Sequence, residues 1–483
     1  MLKKLVKETA IYGIGDFIFN LVKFAVFPIY AHLFTVEEFG VMSLVTVLSG
    51  LINLLLNMGM DNAVQRYYWD ETIKVERRPA LISTGLLILL GWSIFLTTVT
   101  LYAFYCFRDT IELRYNVLWL FLFLALISNI PGQVLQYSQN VLRLHFSPWK
   151  FTFISAWRHL FGVSFGLLLI IVFHKGLLGF FWGNFGGLVI SIPLGFWLIR
   201  RDLVARFDAT LARKLILFGS PFIFANIGYW IFGSLDRWML SELSDNTQVG
   251  IYSIAFKFST LIIFANTAFG QAWAPNAIKI YSDRSDYRKI FARVFSYLFF
   301  GLTLLGSVIS LFGLEVLKLT TPESYWPAAE TLSILVMGLV FSGTQQITAL
   351  GIFFAKKTHL IPIAAWVTAV LNLILNLLMI PKMGAAGAAL ATLFSYATLS
   401  ALYLYWSQKF HPIPLEFKPL FLTISVVFST LIVSYSLQQF EWNGKIFLLK
   451  ILYCCVVIGS GFFFHILKLS DLNKLRQWKS RTA

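Results

Sequence analysis

The first long apolar stretch of the sequence carries an acid, an amide and a base on one helical face. Asp16, Asn20 and Lys23 follow one another at spacings of four and three residues, which places them on the same side of an α-helix. Ionisable groups within apolar sequence are costly unless they face a cavity or a partner. The pattern favours Asp16 as a proton or sodium site and Lys23, with Asn20, as a contact for an anion. A buried structural network is the alternative.

A second stripe of polar side chains lies in the next apolar stretch. Asn53, Asn57 and Asp61 recur every four residues, so they too share one face of a helix. Amides in membrane helices often hold neighbouring helices together, and Asp61 is near the end of its stretch. We predict Asn57 and Asp61 as further ion-coupling residues, with helix–helix contact as the alternative.

Two more basic residues lie inside apolar stretches. Arg158 is about eight residues from the nearer end of its stretch, which is deep for a side chain that reaches the membrane surface. Its planar guanidinium suits the oxygens of a phosphate, and Lys257 belongs to a polar stripe at helical spacing. With Lys23 they form three predicted buried cations, against Asp16 as the one clear buried carboxylate. This surplus predicts a cavity that attracts an anion.

Amide side chains complete the predicted binding site. Gln136 and Gln346 lie in the fourth and tenth apolar stretches. Carboxamides both donate and accept hydrogen bonds, as the recognition of sugar hydroxyls requires. The predicted substrate-binding residues are Asn20, Lys23, Gln136, Arg158, Lys257 and Gln346.

The elements that must position these side chains are membrane-spanning helices. The chain is 58% apolar and only 13% charged, with a mean hydropathy of +0.74, whereas soluble domains carry about 25% charged residues. Apolar runs of about 18 residues or more, long enough to cross a bilayer, recur along the sequence. We predict about fourteen spans, at 10–32, 41–60, 80–105, 116–136, 150–173, 177–199, 213–234, 248–272, 290–312, 327–350, 358–380, 384–406, 417–437 and 446–467.

The distribution of basic residues sets the predicted orientation. About 28 Lys and Arg residues fall in the two termini and in every second loop, whereas about 7 fall in the alternate loops. Because basic loops stay in the cytoplasm, both termini are predicted to be cytoplasmic. The net charge of +16 comes largely from these loops, so it does not indicate a nucleic-acid partner.

The sequence repeats itself at an offset of about 210 residues. VEEFGVMS at 36–43 resembles NTQVGIYS at 246–253, and GLLGFFWG from Gly176 resembles GAAGAALA from Gly384 at an offset of 208. Six helices per repeat predict two lobes of the same orientation, related by an axis along the membrane normal, with the substrate site at their interface. The predicted domains are an N-lobe at 1–206, a C-lobe at 207–411 and two further helices at 412–483.

Motifs for several other chemistries are missing. The sequence has no GxxxxGK[ST] phosphate loop, no HExxH and no CxxC, and its three cysteines lack the spacing of a metal site. The predicted outer loops are too short for the catalytic part of a glycan polymerase or glycosyltransferase. We therefore expect a transporter that is not an enzyme, with no metal and no cofactor, driven by an ion gradient or by the gradient of its substrate.

Along essentially its whole length, the chain resembles the Wzx-type oligosaccharide flippases, the polysaccharide biosynthesis branch of the multidrug/oligosaccharidyl-lipid/polysaccharide (MOP) exporter superfamily. The segment AHLFTVEEFGVMSLV at 31–45 is similar to the family's connection between its first two helices. NMGMDNAVQRYYWDE at 57–71 is similar to the end of the second helix, and 246–256 to the start of the second lobe.

This resemblance implies an all-α polytopic membrane protein with two six-helix lobes in a MATE-like V shape and two appended helices. It implies that a polyprenyl-diphosphate-linked oligosaccharide, such as a repeat unit of O-antigen, capsule or exopolysaccharide, is moved from the inner to the outer leaflet of the bacterial cytoplasmic membrane by alternating access. A polysaccharide polymerase and chain-length proteins are further candidate partners. Asp16 resembles the first-helix acid that couples cations in related drug exporters, and its repeat equivalent is Asn226.

Two alternatives to this function stay open. A multidrug/cation antiporter of the same superfamily would be expected to have a cavity with surplus acid. A membrane glycan polymerase or glycosyltransferase would need catalytic residues in an outer loop.

Overall fold

The computed structural model describes residues 24, 26–70, 73–145, 147–357, 359–440, 443–464 and 466. Within these ranges every regular element is a helix. The longer helices are α1 (Val36–Asn57), α2 (Met60–Tyr68), α3 (Arg78–Cys106), α4 (Arg108–Tyr115), α5 (Trp119–Ile127), α6 (Asn129–Leu144), α7 (Pro148–Ile171), α8 (Leu177–Ile199), α9 (Ala209–Gly219), α10 (Pro221–Leu243), α11 (Asn246–Asp283), α12 (Tyr287–Thr320), α13 (Ala328–Gly343), α14 (Gln345–Phe354), α15 (Leu360–Phe410), α16 (Phe417–Gln438) and α17 (Gly444–Phe463).

Eleven helical stretches in the described part of the chain are long and apolar enough to cross a membrane. They run from Val36–Tyr68, which joins α1 and α2, to Gly444–Phe463, and they confirm an all-α polytopic membrane protein. The stretch Leu360–Phe410, labelled α15, has 51 residues and consists of two helices joined at Gly384, which correspond to the predicted spans 358–380 and 384–406. Most of the first predicted span lies outside the described residues. The total of fourteen spans therefore stays a prediction.

The chain divides into two compact units. Unit 1 is Met1–Ser241 with Asp245–Gly250, and unit 2 is Glu242–Ser244 with Ile251–Ala483. Helices α9 and α10, which contain the predicted seventh span, thus belong to unit 1. The predicted lobes divide the chain before these helices, and both the lobes and their two-fold axis stay predictions.

A break between α1 and α2 turns the chain inside unit 1. Met58 and Gly59 both have left-handed backbone angles, with φ of 47° and 65°. A Cβ on Gly59 would also lie 2.3 Å from the backbone oxygen of Gly219, so this position requires glycine. The break places Asp61 in the first turn of α2, where the helix dipole is favourable to a carboxylate.

Helices α7 and α8 of unit 1 pack through glycines. A Cβ on Gly183 would lie 2.4 Å from Cα of Gly166, and a Cβ on Gly187 would lie 2.7 Å from Cα of Gly162. Small residues at four-residue spacing let two backbones approach closely, as is common between membrane helices. This contact fixes the position of the helix that carries Arg158.

One glycine pair from the sequence repeat shares an unusual backbone conformation. Gly176 precedes α8 with φ of 51° and ψ of −138°, and Gly384 interrupts α15 with φ of 53° and ψ of −129°. These angles are costly for any residue with a Cβ. The same backbone conformation thus precedes the last helix of each predicted repeat.

The other glycine pair lies in a close helix crossing inside unit 1. A Cβ on Gly40 would lie 1.9 Å from the backbone oxygen of Asn246, and a Cβ on Gly250 would lie 2.1 Å from the backbone oxygen of Val36. Val36 and Asn246 are themselves 210 residues apart. Each repeated segment therefore contacts the other through equivalent positions.

Unit 2 contains a buried ion pair that the sequence analysis missed. Lys450 on α17 is only 1% exposed and donates to the carboxylate of Glu315 on α12. Elsewhere on α12, Ser333 of α13 donates to the backbone oxygen of Ser310 at 3.2 Å. The expectation that Asp16 is the one clear buried carboxylate is therefore wrong, and Lys450 is a further buried cation.

Candidate functional site

A polar cavity of about 640 Å³ lies inside unit 1, among α1, α2, α6, α7 and α10. Its size is typical of a small-molecule site. Its lining is unusual for helices that can span a membrane, because most of the side chains carry hydrogen-bonding groups. The polar residues that line it are Asn53, Asn57, Asp61, Asn62, Gln65, Gln133, Gln136, Tyr137, Gln139, Asn140, Arg143, Arg158 and Asn226.

A break between α5 and α6 positions one wall of the cavity. Pro131 lies in the first turn of α6, and its ring nitrogen has no hydrogen to continue the helix that ends at Ile127. Proline is tolerated in a first turn, where the N–H groups have no acceptor within the helix. The new helix places Gln133 and Gln136 beside α1 and α2.

Amides of α1 and α6 form a ladder of hydrogen bonds along this wall. Gln133 donates to the side-chain oxygen of Asn53 at 2.8 Å and to its backbone oxygen at 2.6 Å. Asn57 donates to Oε1 of Gln133 at 3.2 Å, and Ser49 donates to Asn129 at 3.2 Å. These bonds satisfy polar groups that would be costly to bury alone, and they fix the register of α1 against α6.

Asp61 supplies the one carboxylate among the described lining residues. Its Oδ2 accepts hydrogen bonds from Asn57 at 2.9 Å and from Gln136 at 2.8 Å. Its Oδ1 is buried and has no partner within the described residues. The carboxylate is therefore held in place by two amides and keeps one oxygen for a further donor or a cation.

Two guanidinium groups line the same cavity. Arg158, on α7, is half-buried. Arg143, near the end of α6, lies 4.5 Å from the ring centre of Phe151 and donates to Asn140 at 3.5 Å. Neither guanidinium is paired with a carboxylate in the described ranges. Two cations and one acid give the described lining a positive balance, which favours an anion.

The arrangement is suited to binding an anionic, polyhydroxylated group. Guanidinium groups offer paired donors to phosphate oxygens, and the surrounding amides can both donate to and accept from hydroxyl groups. The cavity therefore combines contacts for an anionic group with contacts for a polyhydroxylated one.

The structure brings four of the nine predicted site residues into this cavity: Asn57, Asp61, Gln136 and Arg158. Two others lie in unit 2 and do not line it: Lys257 and Gln346. The remaining three lie outside the described residues: Asp16, Asn20 and Lys23.

The two unit 2 residues have different surroundings. Gln346 on α14 packs over α11, where a Cβ on Gly270 would lie 2.7 Å from its Oε1. Lys257 is half-buried on α11, and its backbone oxygen accepts the hydroxyl of Thr260 at 2.5 Å.

Several lining residues escaped the sequence analysis. The signal was present on α6, where Gln136, Gln139, Asn140 and Arg143 recur at three- to four-residue spacing. The predicted fourth span ended at residue 136, whereas α6 continues to Leu144. Arg143 was therefore counted as a loop charge, although its side chain lines the cavity.

Ion pairs hold the connection between α8 and α9 outside the spanning stretches. Asp208 caps α9 by accepting the N–H of Thr210 at 3.0 Å, and it pairs with Arg77. The hydroxyl of Thr210, followed by the guanidinium of Arg77, holds the pKa of the Asp208 carboxyl well below its usual range. His145 lies 2.9 Å from a carboxylate oxygen of Asp202. These contacts tie the connection to the rest of unit 1.

Comparison with solved structures shows which known proteins share this fold. The lipid II flippase MurJ, in an inward closed conformation, matches with a TM-score of 0.72 at 18% identity, over 94% of this chain and 98% of that one. A multidrug resistance MATE family transporter in an inward-facing conformation matches with a TM-score of 0.58 at 13% identity, over 83% of this chain and 94% of that one. The fold is therefore that of the multi-pass MOP superfamily transporters.

The sequence then defines the family. The model of the polysaccharide biosynthesis protein family matches residues 5–281, more than half of the chain, and the chain belongs to this family. The MatE family model matches residues 221–378. A probable low-salt glycan biosynthesis flippase of Haloferax volcanii is 21% identical over 48% of this chain and 49% of that protein. The chain spans between 41% and 65% of the lengths of the curated relatives it matches.

Proposed function

We propose that this chain moves an anionic, lipid-linked oligosaccharide from one membrane leaflet to the other without changing it chemically. The observation that carries the proposal is the polar cavity among helices long enough to span a membrane. Membership of the polysaccharide biosynthesis family supports it. So do the names of two similar proteins, a glycan biosynthesis flippase and a lipid II flippase.

Different cavity residues would bind different parts of the substrate. Arg158 and Arg143 would bind the diphosphate of a polyprenyl-diphosphate-linked glycan, because charge-assisted bonds to phosphate oxygens are strong where water is excluded. The amides of α1 and α6 would exchange hydrogen bonds with sugar hydroxyls. The polyprenyl tail would stay in lipid, and the cavity would open to each leaflet in turn by alternating access.

The other predicted residues extend this assignment. Asn20, Lys23, Lys257 and Gln346 are proposed as further substrate contacts. A separate set is proposed to couple transport to a proton or sodium gradient: Asp16, Asn57 and Asp61.

The cellular setting belongs to the same proposal. The chain would lie in the cytoplasmic membrane of a bacterium, with both termini in the cytoplasm, as its basic loops favour. It would act as a transporter and not as an enzyme. A polysaccharide polymerase and chain-length proteins would use its product at the outer face.

The proposal is tested by a flipping assay on the purified chain in proteoliposomes. A fluorescent polyprenyl-diphosphate-linked oligosaccharide is placed in both leaflets, and a membrane-impermeant reagent modifies the label in the outer one. The chain is expected to make the whole population accessible, and Arg158→Gln is expected to slow the exchange at least tenfold. The loss of one charge-assisted phosphate contact is the reason.

Arg206→Gln serves as the matched control. Arg206 is exposed and lies outside the cavity. The Arg206→Gln variant is therefore expected to exchange lipid at the wild-type rate. If the double variant Arg143→Gln/Arg158→Gln exchanged lipid at the wild-type rate, the cavity would have no part in transport. Resistance of cells to cationic drugs, with no lipid exchange, would favour the multidrug antiporter instead.

A further inference from the structure

A second cavity, of about 390 Å³, opens at one end of unit 2. Lys289, Arg293 and Ser296 of α12 line one wall, and Pro414 and Glu416 before α16 line the other. We propose that this α12–α16 cavity binds the headgroup of an anionic phospholipid from the surrounding bilayer. The proposal does not depend on what the polar cavity of unit 1 carries.

The position of the α12–α16 cavity matches the headgroup level of a membrane. Lys289 is the third residue of α12, Pro419 is the third residue of α16, and Ile466 follows the end of α17. All three line the cavity. Because these spanning helices begin or end here, the cavity lies at the edge of the hydrocarbon layer and not within it.

The rim of the α12–α16 cavity carries cations that are available to a ligand. Lys289 and Arg293 are one helical turn apart and exposed, and neither is paired with an acid in the described ranges. Arg284, by contrast, is bound to Asp286 at 2.9 Å. Glu416 is the one acid of the lining, so the cavity keeps a positive balance. Basic pockets between membrane helices suit the headgroups of anionic lipids.

The floor of the α12–α16 cavity is apolar, and exposed aromatic residues flank it in the sequence of α16. Tyr297 and Ile466 belong to, or pack on, a buried apolar cluster between α12, α16 and α17, and Pro419 is buried beside them. On the outer surface of α16, Phe417 and Phe421 are 83% and 74% exposed. A phosphate next to hydrocarbon is the chemistry of a phospholipid, whereas a soluble phosphate would use the rim alone.

The loop that forms one wall is held in place without a ligand. Gln408 donates to the backbone oxygen of Ile413 at 3.0 Å and accepts the N–H of the same residue at 3.0 Å. The N–H of Leu415 donates to the same oxygen at 2.8 Å. A preformed wall reduces the entropy lost on binding, so a single headgroup can bind with useful affinity.

The test compares lipids retained by the full-length chain. The protein is titrated with phosphatidylglycerol or phosphatidylcholine in neutral detergent, and bound lipid is counted by native mass spectrometry. The wild type is expected to prefer phosphatidylglycerol. The double variant Lys289→Gln/Arg293→Gln is expected to lose about fivefold in phosphatidylglycerol affinity for each charge removed.

Two further variants separate a built site from a diffuse surface charge. Lys356→Gln/Lys357→Gln removes two exposed cations from a loop of unit 2 that does not line the cavity, and it is expected to keep the preference. Ala292→Trp fills the cavity without changing its charge and is expected to abolish lipid binding. If Ala292→Trp does not fold, the smaller substitution Ser296→Leu is used in its place and is expected to have the same effect.

Three outcomes with the variants would overturn the proposal, and a fourth comes from a competing ligand. They are an unchanged preference in Lys289→Gln/Arg293→Gln, an equal loss in Lys356→Gln/Lys357→Gln, and full binding by the folded cavity-filling variant. Glycerol 3-phosphate is included as a competitor. Displacement of phosphatidylglycerol by equimolar glycerol 3-phosphate would identify a soluble phosphate as the ligand and contradict the assignment to a lipid.

Discussion

Helices α1 and α2 of unit 1 and the part of α11 that lies in unit 2, from Ile251 onward, hold corresponding positions at the sequence offset of 210 but carry different chemistry. At the repeat offset of 210, Asn57 and Asp61 correspond to Thr267 and Gln271. In unit 1 the acid and the amide bond to each other and line a polar cavity. In unit 2 the equivalent hydroxyl and amide are exposed. The same register of the repeat thus carries a carboxylate in one unit and none in the other.

The partner helices show the same contrast. Gln136 on α6 donates to Asp61, whereas its equivalent Gln346 on α14 packs over Gly270. Each glutamine contacts a preceding helix of its unit, but only Gln136 is seen to donate to a carboxylate. The position 210 residues after Gln136 thus keeps the amide, whereas the position 210 residues after Asp61 does not keep the carboxylate.

The largest predicted effect concerns the close helix crossing inside unit 1 at Gly40 and Gly250. In Gly40→Ala and in Gly250→Ala, the new Cβ would meet a backbone oxygen at about 2 Å, which neither helix can avoid without moving. Each substitution is expected to destabilise the fold by more than about 3 kcal/mol, seen as loss of monodisperse protein or a lowered midpoint in thermal unfolding.

The controls for this prediction are glycines at the same offset. Gly91 and Gly301 are 210 residues apart, and a Cβ on either would meet no atom within 4 Å. Alanine at these positions is expected to leave stability unchanged or raise it by about 0.5–1 kcal/mol. If Gly40→Ala were tolerated while Gly250→Ala was not, the two glycines would not have equivalent roles in this crossing.

The next effect concerns the buried charge of unit 2, which supports structure and does not line the polar cavity of unit 1. Lys450→Met would leave the carboxylate of Glu315 buried without its cation, at an expected cost of about 3–5 kcal/mol in thermal stability. The double variant Glu315→Gln/Lys450→Met should recover most of that loss, because no unpaired charge remains. A double variant as unstable as the single one would show that the pair acts through more than charge.

Features of the structure that depend on residues close together in the sequence could be predicted better than features that depend on distant residues. The membrane class and most helices follow from composition and apolar runs, because burial in lipid imposes a simple requirement on every span. The glycines at 40, 176, 250 and 384 were visible as repeat pairs, and each has a backbone environment that requires glycine. These are local properties, and local properties can be predicted.

The site was only partly predictable because its contacts join distant parts of the chain. The faces of Asn57 and Asp61 could be assigned from spacing, but their contacts with α6 span 75 to 76 residues of sequence. Likewise, nothing near Lys450 in the sequence indicates Glu315, which is 135 residues away. The break at Gly59, which places Asp61 at the start of a new helix, was also read as continuous helix.

A smaller predicted effect is a difference in lipid exchange rate between variants at two positions 210 residues apart, Asp61 and Gln271. Asp61→Ala removes the acceptor that holds Asn57 and Gln136, and it is expected to slow lipid exchange at least tenfold in the proteoliposome assay. Gln271→Ala, at the equivalent position, is expected to stay within twofold of the wild type. Equal losses in both variants would mean that unit 2 contributes to the same chemistry.

The smallest predicted effect compares how the two units respond to acid at residues outside their spanning stretches. His411 of unit 2 is buried among the rings of Tyr281, Tyr287 and Phe354. Burial, and then the nearby charge of Arg288, lowers the pKa of this histidine. Its unfolded form therefore binds a proton more readily than its folded form, so stability is lost as pH falls below the unfolded value of about 6.5.

In unit 1, acid also reduces the stability of the fold through Asp208, but it does so at lower pH. The pKa of Asp208 is depressed, so its contribution is complete above about pH 3.9 and is lost only in stronger acid. Between pH 7.5 and 5.5, hydrogen exchange should therefore speed up around residues 281–291 and 408–413, by an amount equivalent to at most about 1.4 kcal/mol, while residues 204–212 stay unchanged. His411→Phe should abolish the acceleration, because phenylalanine fills the ring cluster and cannot be protonated. An acceleration that persists in this variant would assign the response to another group.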